Sequence, residues 1–216
     1  MKRAIALLIL QISQLAYAID QPSYDQRTHR IPNWEEQAKA HLNISSETLR
    51  ARMDNRCIML NNYWCLKDFG WAGSVGKDED SHAVFSNGYY AARAAVRNAR
   101  TAYGKHGRKS SLAIMEAYAP SSDCIGSNRA KLPDGTCKYG KNNPSEYAKV
   151  AAKGITEDIN ADLGLFDKNK QATGNLVIFL INMSAFELNG PRVQESTIKK
   201  GICLEDSTCT PNDQDQ

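Results

Sequence analysis

Hydrophobic residues along the chain recur mostly at helical spacing. Leu49, Met53 and Cys57 lie four residues apart behind Ser45, a helix-capping residue type, and Glu47 sits where a helix dipole favours negative charge. The pattern predicts a helix from Ser45 to about Cys57, preceded by a short one that places Trp34 and Ala38 a turn apart. From Gly88 to Tyr103, Ala92, Val96, Ala99 and Tyr103 form one apolar face and Arg93, Arg97 and Arg100 mark another, with Gly104 as the stop. Ser110 or Ser111 opens a helix carrying Leu112, Met115 and Tyr118 that ends before Pro120. Asn143-Pro144 pairs a cap with proline at the first helical position; that helix runs to Lys153, and Thr156 starts a short one ending near Gly164. The most apolar element is Asn175 to Leu188, opened by Thr173 and stopped by Asn189-Gly190-Pro191. It is shorter than the roughly 20 residues a bilayer span needs, so it reads as a buried core helix.

The intervening stretches are polar. Asn61 to Gly88, rich in Gly, Asn, Asp and aromatics, predicts loop with at most one short hairpin, and Ser121 to Asn142 a loop turning at Pro133-Asp134-Gly135. Residues 19–33 read as an extended leader and residues 203–216 as a polar tail. The expected fold is all-α: one compact domain over 34–202, six or seven short helices with little or no sheet around the apolar helix.

The first 18 residues change the picture of where this domain works. Met1-Lys2-Arg3, the apolar run Ala4 to Leu10 and the Ala16-Tyr17-Ala18 end have the three parts of a cleaved export signal. Cleavage after Ala18 predicts a periplasmic or secreted protein with no transmembrane segment afterwards. All six cysteines, Cys57, Cys65, Cys124, Cys137, Cys203 and Cys209, survive that cut as three close couples. In an oxidising compartment they predict up to three disulfides, local pairing being the simplest arrangement and the rim of a cleft their expected place. No C-x-x-C is present and the four histidines are scattered, so no metal or other cofactor is expected. The formal net charge of +3 in 216 residues is too small to argue for nucleic acid as a partner.

The nucleophile-elbow, phosphate-loop, zinc-protease and dinucleotide signatures are absent from the sequence. Carboxylates, asparagines, tyrosines and tryptophans remain, the side chains that hold sugars and protonate glycosidic oxygens. Asn61-Asn62-x-Trp64-x-Leu66-Lys67, Gly70-Trp71-x-Gly73 and Phe85 with Gly88 resemble the N-N-P-G-N-I/L block and following helix start of a phage-derived group of lysozyme-like, muralytic virion proteins. Ile114-Met115-x-x-Tyr118-Ala119-Pro120 and Asn142-Asn143-x-x-x-Tyr147-x-x-Val150 are similar to that group's I-x-x-Y-A-P turn and the N-x-x-x-Y-x-x-x-V stretch after it. The likeness covers about Asn61 to Leu165 in the same order. It implies a lysozyme-like helical fold acting on, or binding, peptidoglycan glycan strands. Tyr63-Trp64 replaces the group's Pro-Gly, and the cysteines are additions.

The matching block does not place a catalytic acid. Glu187 closes the most apolar helix in Phe186-Glu187-Leu188-Asn189-Gly190, where apolar neighbours and the helix C-terminus would both raise its pKa, as a general acid needs. Glu47 is the alternative, but a helix N-terminus pushes it toward the ionised form. Asn61 and Asn62 either hold a sugar acetamido group or close a loop. Trp64, Trp71 and Tyr118 either stack on sugar faces or fill the core. The basic stretch from Arg97 through Lys105, His106 and Arg108 to Lys109 reads as a solvated face, with an anionic polymer as the other option. Three functions follow: an exported glycoside hydrolase or lytic transglycosylase using one glutamate, a non-enzymatic binding or envelope-assembly factor within a protein complex, and an inhibitor or immunity-type protein.

Overall fold

In the computed structural model, residues 22–126 and 130–209 are described; the export signal read in residues 1–18 lies outside the described residues. The described chain is mostly helical, with two short antiparallel two-stranded sheets. The leader does not simply run extended. Asp25 and Arg30 pair across a turn, the Asp25 carboxylate accepts from the Arg27 N–H (2.9 Å) and the Thr28 hydroxyl (2.8 Å), and Ile31 is fully buried with its N–H on the Met59 carbonyl. Burying Ile31 ties the segment down where polarity alone predicts loose chain.

Helix α1 (Trp34–His41) buries Trp34, Ala38 and His41, and leads into β1 (Leu42–Asn43). Ser45 caps α2 (Ser46–Ala51), accepting from the Thr48 N–H at 3.1 Å. The single helix expected to reach Cys57 breaks here: Asn55 accepts from the Ile58 N–H and starts a new turn, α3 (Arg56–Met59), leaving Met53 exposed. Asn and Asp bond the backbone locally more readily than they continue a helix. Strands β2 (Ser74–Lys77) and β3 (Ala83–Phe85) form a bulged hairpin inside the predicted loop.

Asn87 caps α4 (Gly88–Arg100), which buries Ala92, Val96 and Ala99 as the periodicity predicts. Gly104 does not end it; a π-helical turn, Thr101–Lys105, carries the chain to Gly107, where φ is +64°. Ser110 caps α5 (Ser111–Tyr118), and Asn143 caps α6 (Pro144–Ala152) with proline in its first turn. The short helix expected at Thr156 is replaced by turns, in which Leu163 and Leu165 alternate into the core. Thr173 precedes α7 (Gly174–Glu187), but its hydroxyl donates to the Gly164 carbonyl instead of capping the helix.

Beyond β4 (Arg192–Val193), paired with β1, lies an unforeseen helix, α8 (Glu195–Asp206), which takes Cys203 out of the supposed tail. It packs on α4 so closely that a Cβ at Gly201 would stand 2.6 Å from that of Ala92, which leaves no room for any residue but glycine. The arginine face of α4 is consequently not a free solvated face. Arg93 meets Glu205 at 3.2 Å and Arg100 meets Asp206 at 2.6 Å. The core centres on α7: Leu176, Phe179 and Leu180 are buried, and the fully buried Trp64 donates its indole N–H to the Leu180 carbonyl at 2.9 Å.

Three local disulfides, 57–65, 124–137 and 203–209, close the chain over sequence separations of 8, 13 and 6. They fit folding in an oxidising compartment outside the cytoplasm. Among the described residues, no helix is long and apolar enough to cross a membrane. The disulfides do not share one location, as a cleft rim would require: Cys57 belongs to the core, 124–137 staples the α5–α6 loop, and 203–209 closes the end of α8.

Candidate functional site

Glu187 lies at the last turn of α7, where the helix meets the ends of α5 and α6. The Tyr147 hydroxyl, from α6, donates to Glu187 Oε1 at 2.5 Å. The Tyr118 ring, from α5, stands edge-on to Tyr147 with centroids 5.8 Å apart, and its hydroxyl donates to the Trp64 carbonyl. Phe186 stacks on the other side of Tyr147 at 3.9 Å and 19°, while remaining 45% exposed. A half-buried glutamate thus has its carboxyl against two tyrosines at the helix end, with Phe186 stacked on one of them.

Burial raises the Glu187 carboxyl to about 7, against the hydrogen bonds of Tyr147 and Tyr118, which pull toward ionisation. Both tyrosine contacts therefore oppose burial, and burial outweighs them. Burial and the charge of Glu187 hold both tyrosine hydroxyls well above their ordinary pKa, so both keep their hydrogens.

The Asn61–Trp64 block is placed differently. Asn61, Asn62 and Trp64 are fully buried. The Asn62 amide donates to the Leu66 carbonyl (2.8 Å) and the Ala83 carbonyl (2.9 Å), and its oxygen accepts the Leu66 N–H. Asn61 holds the left-handed conformation at φ +52° and donates to Asn33 Oδ1 and the Phe85 carbonyl. These amides close a loop against a hairpin and line no groove. Trp71 is partly exposed, its indole N–H held by the Lys67 carbonyl at 2.7 Å, with the exposed Phe69 ring edge-on to it. Glu47 is exposed on the first turn of α2. Of the predicted site residues, then, the fold brings together Glu187 and Tyr118, with Trp64 behind them; Asn61 and Asn62 form a structural knot, and Trp71 belongs to a separate loop.

Tyr147 and Phe186 were the residues sequence reasoning missed. Tyr147 stands in the motif Asn143-x-x-x-Tyr147, and Phe186 is the neighbour of the chosen acid, but only the packing of α6 on α7 shows that they meet. Among the described residues, one group could hold a metal: ligand atoms of Asp78, Asp80 and His82 lie within 4.8 Å of one another. The Arg56 guanidinium stands among them, 3.2 Å from Asp78 Oδ2, 3.1 Å from His82 Nδ1 and also bonded to Asp80, supplying the positive charge itself. That cluster pins the β2–β3 hairpin to α3. Neither a family model nor a curated protein matches this chain.

Proposed function

We propose that this is an exported, peptidoglycan-active protein on a lysozyme-like helical fold, with Glu187 as the general acid. The observation that supports this reading is the tyrosine-lined setting of Glu187, where burial keeps a carboxyl protonated close to neutral pH. The Glu187 hydrogen passes to the glycosidic oxygen as the bond to the anomeric carbon breaks, and the bonding pair stays on that oxygen. Water, returning a proton to the Glu187 carboxylate, or the substrate's own acetamido oxygen, then captures the anomeric carbon. Tyr147 steadies the carboxylate left behind by donating to it.

A second reading has its own support: with Asn61, Asn62 and Trp64 consumed by the core, the block that resembles a glycan site offers a sugar only the partly exposed Trp71. On that reading the fold is retained for binding within an envelope protein complex, without catalysis. Clearance of purified sacculi separates the two. The enzyme reading expects Glu187→Gln to lose at least about a hundredfold in rate, the usual weight of a general acid, and Glu47→Gln to match wild type. Zero clearance by all three proteins, with co-sedimentation on sacculi retained, overturns catalysis in favour of binding.

A further inference from the structure

From Ser81 to Met115 the chain has no Asp or Glu and six Lys and Arg, in a protein whose totals of 27 basic and 24 acidic residues nearly balance. The fold divides those six. Arg93 and Arg100 turn to Glu205 and Asp206 on α8, at 3.2 and 2.6 Å. Lys105, Arg108 and Lys109 stay on the π-helical turn Thr101–Lys105 and the loop after it, both lysines exposed.

A second segment joins them. Phe166 and Ala172 pair across a turn that carries the exposed Lys168 and Lys170. Its base packs on the π-helical turn: the Phe166 ring lies 5.6 Å from that of Tyr103 and 5.2 Å from the Arg100 guanidinium. Lys109 Nζ stands 3.6 Å from the Tyr103 ring, and the Lys109 carbonyl accepts from the Leu163 N–H at 3.0 Å. Residues 101–110 and 162–172 together thus hold five Lys and Arg against two acids, Asp162 and Asp167. Asp162 accepts from the Tyr103 hydroxyl and the Gly164 N–H, and Asp167 closes its own turn through the Asn169 and Gln171 N–H groups. Among the described residues, Lys105, Arg108, Lys168 and Lys170 form no ion pair.

Cations at a helix C-terminus complement its dipole, which accounts for Lys105 but not for Lys168 and Lys170 on another segment. The backbone is irregular at the same place, and π-helical turns concentrate at functional sites. Tyr103 and Phe166, the rings between the two segments, are only 5% and 9% exposed, so this surface presents charge without faces on which bases could stack. Long, unpaired cations on two loop tips suit a plane of phosphates.

We propose that this surface docks the protein on an anionic bilayer through the phosphate groups of its lipids. Clusters of about four to eight Lys and Arg are the size that anionic headgroups hold, each residue contributing about fivefold in partition. The disulfides fit a compartment bounded by such a membrane. The docking stands apart from the reading of Glu187 as an acid.

The test is co-sedimentation of the protein with phosphatidylcholine vesicles that contain phosphatidylglycerol, and with vesicles of phosphatidylcholine alone. Retention on the first and not the second is expected, lost as salt rises toward about 1 M. Lys105→Gln with Lys168→Gln, both exposed and therefore harmless to folding, is expected to weaken partition about twentyfold. Lys131→Gln with Lys138→Gln removes the same charge from the α5–α6 loop and is expected to match wild type. Equal retention on both kinds of vesicle, equal losses in the two double variants, or no retention overturns the proposal. Retention on duplex DNA at about 0.15 M salt without retention on vesicles overturns the bilayer as partner.

Discussion

Two polar clusters in this protein use the same kinds of side chain to opposite ends. At Asn61–Asn62 the amides bond mainly to main-chain groups of neighbouring segments, and Asn62 spends both donor and acceptor on Leu66 and Ala83. At Glu187 the partners are two tyrosine hydroxyls, and the group retains the capacity to gain or lose a proton near neutrality. Amides serve the first cluster because they do not titrate, and they satisfy buried backbone at every pH. A carboxyl serves the second because its environment disfavours charge without forbidding it. Function thus separates from architecture by what each polar group bonds to, and residue type alone does not make that distinction.

The largest effect expected from breaking this contrast is at Asn62. Asn62→Ala leaves the Leu66 N–H without its partner and takes one donor from each of the Leu66 and Ala83 carbonyls in a fully buried site, so it is expected to cost about 3 kcal/mol. Thermal unfolding would record a loss of roughly 10 °C. A loss below 2 °C would mean that the amide is not holding the hairpin.

The next effect is a dependence of stability on pH with two opposed parts. The folded pKa of Glu187, about 7, is above its ordinary 4.5; its contribution to stability is complete below pH 4.5 and is lost as pH rises through 7. His41 is buried, with its ring nitrogens near Thr197 Oγ1 (3.1 Å) and Gln37 Oε1 (3.0 Å), and burial lowers its pKa from 6.5 to about 4. Its contribution is complete above pH 6.5 and is lost as pH falls through 4. Each is worth up to ~3 kcal/mol, so between pH 4.5 and 6.5 the two largely offset. Denaturant unfolding of Glu187→Gln should therefore show stability falling steadily as the solution is acidified, and His41→Gln the reverse slope. Parallel pH profiles for wild type and both variants would refute the assignment.

A smaller effect resolves the two tyrosines. Tyr147→Phe removes the donor to Glu187 and Tyr118→Phe a second contact that favours the carboxylate, so each is expected to raise the Glu187 pKa. Carbon NMR of the labelled carboxyl reads both, and a lowered midpoint in either variant would disprove this part of the assignment. Smallest of all, Phe69→Ser, on an exposed ring outside both clusters, should change stability by no more than about 0.5 kcal/mol.

Helical class, the apolar α7, the caps at Ser45 and Asn143 and the pairing of neighbouring cysteines were legible in the sequence, because each follows from local spacing. Helix α8 was not: its face is apolar enough to bury only against α4, through Gly201 and the Glu205 and Asp206 ion pairs, which are long-range facts. The break at Asn55 was hidden by a four-residue hydrophobic spacing that side-chain capping overrode. The desolvation of Glu187 was legible, since an apolar helix ending in Glu predicts a carboxyl in apolar surroundings. Its companions were not, because the aromatics that meet it come from α5, α6 and the adjacent position on α7, and no linear spacing distinguishes them from Trp64 in the core.

The carboxyl titration of Glu187 in the wild-type protein tests this account most directly. A midpoint near 7, well above the ordinary 4.5, is the expected result. A midpoint at the ordinary value would show a solvated carboxylate at the end of α7 and would contradict the claim that this cluster maintains a protonated acid.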